Sequence, residues 1–240
     1  MTQPFYTLNC DLGEGIPDES SIIPWVDLAS VACGGHFGDE TTIRETLRLV
    51  KRFGKKAGAH PSYPDRLHFG RRSLEIQPQD LIRSLSDQLA LFLEIANEEK
   101  VGLDHIKFHG ALHNDTAENR DLALLLVKAI KEEFPQTPLF VPPKSEIEQV
   151  ALELNHPIKR EVFGDRAYQT NYKLVSRTLE NSLFTQCKQV ISHLESIIEK
   201  GQIQTSSGER IPVEADTICI HGDNPGILGF LPTVRKQFWK

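Results

Sequence analysis

Residues 104–134 read DHIKFHGALHNDTAENRDLALLLVKAIKEEF. A short run rich in apolar residues, Asp104–Phe108, ends in the polar segment His109-Gly110 to His113-Asn114, and apolar residues then return at helical spacing over Glu118–Phe134. A strand, a polar loop and an amphipathic helix in that order make a β/α unit, which pairs its strand in parallel with that of the next unit.

The same theme recurs outward in both directions. Strands are predicted at Phe5–Cys10, Leu28–Cys33, Lys56–Ala59, Leu139–Val141, Ile158–Phe163 and Thr217–Ile220, beside the one at Asp104–Phe108. Helices are predicted at Glu40–Phe53, Pro78–Glu99, Ser145–Leu154, Leu183–Glu199 and Gly226–Phe238. Asp39 and Gln77-Pro78 suit helix starts, while Gly54 and Gly201 suit stops. Residues 202–213 form a hairpin turning at Ser207-Gly208. Seven such strands, with no linker or charge run between them, predict one parallel (β/α) barrel domain over residues 1–240, with an open doubly wound sheet as the alternative.

Composition narrows the function. The chain has 240 residues, of which 39% are hydrophobic and 25% charged, which is enough to bury one sizeable core. A net charge of -6, with scattered rather than clustered Lys and Arg, argues against a nucleic-acid partner. Residues 1–8 lack the basic-then-apolar pattern of a signal peptide, and no apolar run of about 18 residues occurs. Cys10, Cys33, Cys187 and Cys219 show no CxxC spacing and read as reduced thiols of a cytoplasmic protein, with three of them closing apolar runs as small hydrophobes. A homodimer is compatible with a barrel of this size, although no sequence stripe marks an interface.

Polar residues gather where strands end. Asn9, Asp11 and Glu14 follow the first strand; Gly35, His36 and Asp39 the second; His60 the third; Lys107 and His109 the fourth; Asp165 and Arg166 the sixth; His221 and Asp223 the seventh. In a parallel α/β fold these ends converge on one face. One histidine after a strand is usually a packed or capping residue, but four at equivalent positions, His36, His60, His109 and His221, point to acid–base or metal chemistry. Asp11, His36 and His60 are the candidate metal ligands, gathered from different strands because no HExxH is present. Arg71 and Arg72 join Lys107 and Arg166 as candidate anion contacts, although paired arginines are commonly solvated. Neither GxxxxGK[ST] nor a GxGxxG after the first strand occurs, so a conventional nucleotide loop is missing.

Seven ordered blocks then carry a resemblance: NCDLGEG at 9–15, ACGGHFGD at 32–39, GAHPSYPD at 58–65, FGRR at 69–72, KFHGALHN at 107–114, EVFGDRAY at 161–168 and HGDNPG at 221–226. Over nearly its whole length the chain resembles the LamB/YcsF family, which includes the A component of bacterial 5-oxoprolinase. Phe108 and His113 stand where the pattern KPHGALYN has proline and tyrosine, Gly35 and Phe37 exchange bulk relative to ACGFHAGD, and the loop from Gly15 to Trp25 is shorter than usual.

The resemblance implies a barrel of the glycoside hydrolase and deacetylase type. It also implies the ATP-dependent opening of 5-oxo-L-proline to L-glutamate, with Mg2+ accompanying ATP and with subunits B and C (PxpB and PxpC) as partners. Under that reading Lys107 and Arg166 stabilise anionic charge, Asp11 with Asp223 serves magnesium or proton transfer, and His60, His109 and His221 act as acids and bases, with Asp165 beside them. Asn9, Glu14, Gly35, His36, Asp39, Arg71 and Arg72 are the expected substrate contacts. Two other readings keep the site: a stand-alone metal-dependent carbohydrate hydrolase or deacetylase, and a non-catalytic small-ligand regulator.

Overall fold

The computed structural model describes residues 6–239. Seven parallel strands close a barrel: β1 (Thr7–Leu12), β2 (Leu28–Ala32), β3 (Lys56–His60), β4 (Leu103–Lys107), β5 (Leu139–Val141), β6 (Ile158–Phe163) and, after an antiparallel hairpin of β7 (Gln202–Gln204) and β8 (Arg210–Pro212), β9 (Thr217–Cys219), which pairs with both β6 and β1. The closed parallel barrel holds, and the open sheet is excluded. Strand β1 runs to Leu12, past the expected end at Cys10, and Phe5 lies outside the described residues.

Side chains alternate along each strand with period two, and the two sets differ in chemistry. Leu8, Cys10 and Leu12, Val31, Ala57 and Ala59, Ile106, Val162 and Ile218 belong to the hydrophobic core. Their neighbours are polar and meet one another across the barrel. Asn9 donates to Thr217 Oγ1 at 2.8 Å, Ser30 Oγ lies 3.0 Å from His105 Nε2, and Lys107 Nζ reaches Asp11 and Glu161. The His105 ring also stacks on Phe140, centroids 3.9 Å apart. Gly58 makes room for that ring, since a Cβ there would lie 2.5 Å from three of its atoms.

The helices are α1 (Glu19–Ile22), α2 (Glu40–Arg52), α3 (Pro78–Glu99), α4 (Gly110–Glu118), α5 (Arg120–Glu133), α6 (Glu146–Glu153), α7 (Cys187–Lys200) and α8 (Ile227–Phe238). Asp39 caps α2 by accepting from Thr42 N at 3.0 Å, and α7 stops at Gly201 in the left-handed region. The predicted helix at Glu118–Phe134 is α5, begun at Arg120 because the Asn119 side chain caps it by accepting from Leu122 N, and a further helix, α4, forms directly behind β4 where a polar loop was expected. The predicted start of α7 at Leu183 moves to Cys187, since the backbone around Leu183 pairs with Arg166 instead. Among the described residues no helix is long and apolar enough to cross a membrane.

Candidate active site

The last residues of β1, β3, β4, β6 and β9 and the loops behind them form one buried polar cluster at the barrel mouth. At its base the Lys107 ammonium, 1% exposed, lies 2.6 Å from Asp11 Oδ1, 3.1 Å from Glu161 Oε1 and 3.2 Å from Cys219 Sγ. Burial alone would raise the Asp11 carboxyl, but the Lys107 charge, helped by His60, outweighs it and holds the group well below its ordinary range. Burial likewise opposes the Lys107 charge, and Asp11, Cys219 and Glu161 together keep it an ammonium. Glu161 is raised, chiefly by burial.

Above this pair sit three histidines and Glu14. His60 Nδ1 donates to the Lys107 carbonyl at 2.8 Å, and His109 Nε2 donates to the Phe69 carbonyl at 3.0 Å. A carbonyl only accepts, so both tautomers are fixed with their free nitrogens turned inward, His60 Nε2 and His109 Nδ1 facing at 3.0 Å. His36 stacks on His109, and its Nε2 lies 3.0 Å from Glu14 Oε1. Burial first, and then the charges of neighbouring histidines, push His109 and His36 well below the usual imidazole value. Burial, reinforced by Asp11 and Asp223, pushes Glu14 well up. The loop that supplies the Phe69 carbonyl is strained into place. Phe69 has φ 55°, and a Cβ on Gly110 would lie 2.5 Å from the Gly70 carbonyl oxygen, so only glycine permits this approach.

A second arrangement stands beside it, with His221 reaching within 4.8 Å of Asp11. Asp165, fully buried, accepts from His221 Nδ1 at 2.8 Å, from His221 N at 3.1 Å and from Asn224 Nδ2 at 2.9 Å. Burial would raise this carboxyl, yet His221 and Asn224 bring it below its ordinary value. The bond fixes His221 with Nε2 free, which is the arrangement of an oriented general base. At the rim Asp223 Oδ2 is held by Arg71 at 2.5 Å and by Arg177 at 3.2 Å. Those two cations and His221 lower Asp223 against its burial.

Several expected contacts have other duties. Arg166 donates through Nε and Nη2 to the carbonyls of Ser182 and Val175 and pins the loop after β6. Asp39 is exposed and serves as the cap of α2. Gly35 is a packing position, where a Cβ would overlap Gln88 and Ser62. Arg72 is exposed, and Asn9 lies inside the barrel with its Oδ1 unpartnered. Asp11, Glu14, His36, His60, Lys107 and His109 do come together, as do Asp165 with His221 and Arg71 with Asp223. Glu161 lies within the block EVFGDRAY at the sixth strand, but sequence reasoning gave it no role, and it missed Cys219 and Phe69 as partners in the cluster and Arg177, which no motif announces.

Two groups of side chains have the composition to hold a metal ion: Glu14, His36, His60 and His109, and Asp11, Cys219 and His221, with the ligating atoms of each group within 4.8 Å of one another.

Comparison with known proteins places this site in a lineage. The LamB/YcsF family profile matches residues 6–240. The chain belongs to the LamB/YcsF family. Within and around that family, the A component of the 5-oxoprolinase of Chloroflexus aggregans is 36% identical over 233 residues, covering 95% of this chain and 92% of the relative. The crystal structure of a lactam utilization protein from Thermus thermophilus superposes with a TM-score of 0.88 at 30% identity, covering 97% of this chain and 96% of the other. A family 18 glycoside hydrolase, a chitinase from Pseudoalteromonas aurantia, shares only the fold, with a TM-score of 0.54 at 10% identity over 96% of this chain and 99% of the other.

Proposed function

We propose that this chain, as one barrel domain, is the A component of a cytoplasmic ATP-dependent 5-oxoprolinase that opens 5-oxo-L-proline to L-glutamate together with subunits B and C. The observation that carries the reading is the 36% identity to the A component of a 5-oxoprolinase along almost the entire chain. The Asp165–His221 pair supports it, because lactam opening requires a base for water and an acid for the departing nitrogen. The four free cysteines suit the cytoplasm.

In this reading His221 Nε2 takes a proton from the attacking water, and Asp165 holds the imidazolium that forms. The same proton then passes to the ring nitrogen as the C–N bond breaks. Arg71 and Arg177 orient the substrate by its carboxylate, which displaces Asp223 from their guanidinium groups.

ATP makes the opening of a resonance-stabilised, entropically closed five-membered lactam downhill through a shared intermediate. The γ-phosphoryl passes to the lactam oxygen and ADP leaves before the water attacks, the C–N break then leaves an acyl phosphate, and a second water frees phosphate and L-glutamate. The cations at this site are already engaged: Lys107 is buried against Asp11 and Glu161, Arg166 donates to two carbonyls, and Arg71 and Arg177 share Asp223. Phosphoryl transfer would therefore draw its phosphate-binding cations from elsewhere in the three-subunit enzyme.

The test is Asp165→Asn and His221→Ala in the enzyme reconstituted with subunits B and C. Turnover of 5-oxoproline falls by about 10²- to 10⁴-fold in each, with the folded spectrum retained. Turnover within about threefold of the parent in both variants would remove the pair from the chemistry.

A further inference from the structure

The inward nitrogens of His60 and His109 pose a problem that hydrogen bonding alone does not solve. Each ring has given its proton to a backbone carbonyl, so the 3.0 Å contact between His60 Nε2 and His109 Nδ1 brings two lone pairs face to face. Two carboxyl groups aim at the same point. Glu14 Oε1 lies 3.4 Å from His109 Nδ1 and 3.9 Å from His60 Nε2, and Asp11 Oδ2 lies 3.5 Å from His60 Nε2. A single proton would join only two of these four atoms. A metal dication at their centre satisfies all of them at once.

The spacing says which kind of cation. A tetrahedral ion bound at about 2.1 Å separates its ligand atoms by about 3.4 Å; His60 Nε2, His109 Nδ1 and Glu14 Oε1 lie 3.0, 3.4 and 3.9 Å from one another, and Asp11 Oδ2 approaches that triangle from the His60 side at 3.5 Å. The ring planes of His60 and His109 are perpendicular, at 89°, so one point can lie in both planes and receive both lone pairs. His36 fails that condition. Its ring is parallel to that of His109 within 4°, with centroids 3.6 Å apart, so an ion in the plane of one lies well outside the plane of the other. His36 instead hydrogen-bonds Glu14 through Nε2.

We propose that Asp11, Glu14, His60 and His109 form a site for one borderline dication of the zinc class, with His36 as the residue that positions Glu14. Two imidazoles and two carboxylates suit Zn2+ or Co2+, whereas Mg2+ prefers six oxygens. The Lys107 and Phe69 carbonyls act as the outer partners that fix both imidazole tautomers, and Lys107 Nζ holds the remaining oxygen of Asp11. The site stands whichever substrate the protein opens.

Co2+ titration of the full chain, stripped with a chelator and dialysed, reads the site directly without turnover. The wild-type chain saturates at one Co2+ per chain with the strong visible d–d absorption of a tetrahedral ion, and Zn2+ abolishes that absorption. His60→Ala and His109→Ala weaken binding by more than about 100-fold, whereas His36→Asn weakens it by about 10- to 100-fold and keeps the tetrahedral spectrum. No stoichiometric Co2+ bound by the wild-type chain overturns the site in favour of a shared proton between the two imidazoles. Loss of the tetrahedral spectrum in His36→Asn overturns the assignment of His36 as a positioning residue.

Discussion

Lowering the pH from about 7.5 to 4 should remove stability from this fold through two histidines outside the catalytic pair. His105 is fully buried inside the barrel, beside Ser30, Asp104 and Phe140, and burial pushes it down to about 4 against the reach of Asp104; Lys107 and Lys159 push the same way. His193, under the loop after β6, is also pushed down to about 4 by burial, although the Phe163 carbonyl and Asp165 pull it up. Both groups are neutral when folded and take up a proton near 6.5 when unfolded. The unfolded chain therefore binds more protons between pH 6.5 and 4, and stability is complete above 6.5 and lost as the pH falls through that window. At about 1.4 kcal/mol per pH unit each, the loss by pH 4 is about 3 kcal/mol per histidine. Together they account for about 6 kcal/mol, a large share of the roughly 5–15 kcal/mol that stabilises a typical domain. Urea unfolding followed by the fluorescence of Trp25 and Trp239, at several pH values between 7.5 and 4.5, measures the slope in the parent and in His105→Gln and His193→Gln. The difference between parent and variant isolates each histidine from buried carboxyls such as Glu161, whose raised pKa works in the opposite sense. Variants that kept the parental slope would refute the linkage.

Three further outcomes follow from contacts at and beneath the mouth. Lys107→Met leaves Asp11 and Glu161 buried without their cation and costs about 3–5 kcal/mol in urea unfolding, part of which Asp11→Asn in the same chain restores. Gly58→Ala drives a Cβ into the His105 ring and costs about 1–3 kcal/mol, measured as a lowered melting temperature. Arg177→Ala removes one of two guanidinium groups at Asp223 and raises KM for 5-oxoproline roughly 10- to 100-fold, with a smaller change in kcat.

The β/α alternation was legible because apolar runs and helical spacing are local signals, and the seven-stranded closure agrees with the count of those runs. The convergence of Asp11, His36, His60, Lys107 and His109 was legible too, since residues at parallel strand ends must share a face. Less visible was the polar lining within the strands. Leu8-Asn9-Cys10-Asp11 and Thr217-Ile218-Cys219-Ile220 alternate, and a reading of such stretches as apolar runs passes over Asn9 and Thr217 as barrel-filling partners. Arg177 could not be found, because its approach to Asp223 depends on how the loop after β6 is pinned by Arg166 and not on any spacing in the chain. Asp39 suits both a helix start and a substrate contact in the sequence, and the structure uses it for the first; Arg166, a loop clamp, likewise uses a residue type that a substrate site also uses.

Glutamate release from 5-oxoproline is the most direct test of the central claim, measured on this chain alone, on subunits B and C alone, and on all three together with ATP and Mg2+. The account predicts release only from the complete set, and its loss when ATP is withheld. Release that persists without this chain, or its absence from the complete set under every combination, would contradict it.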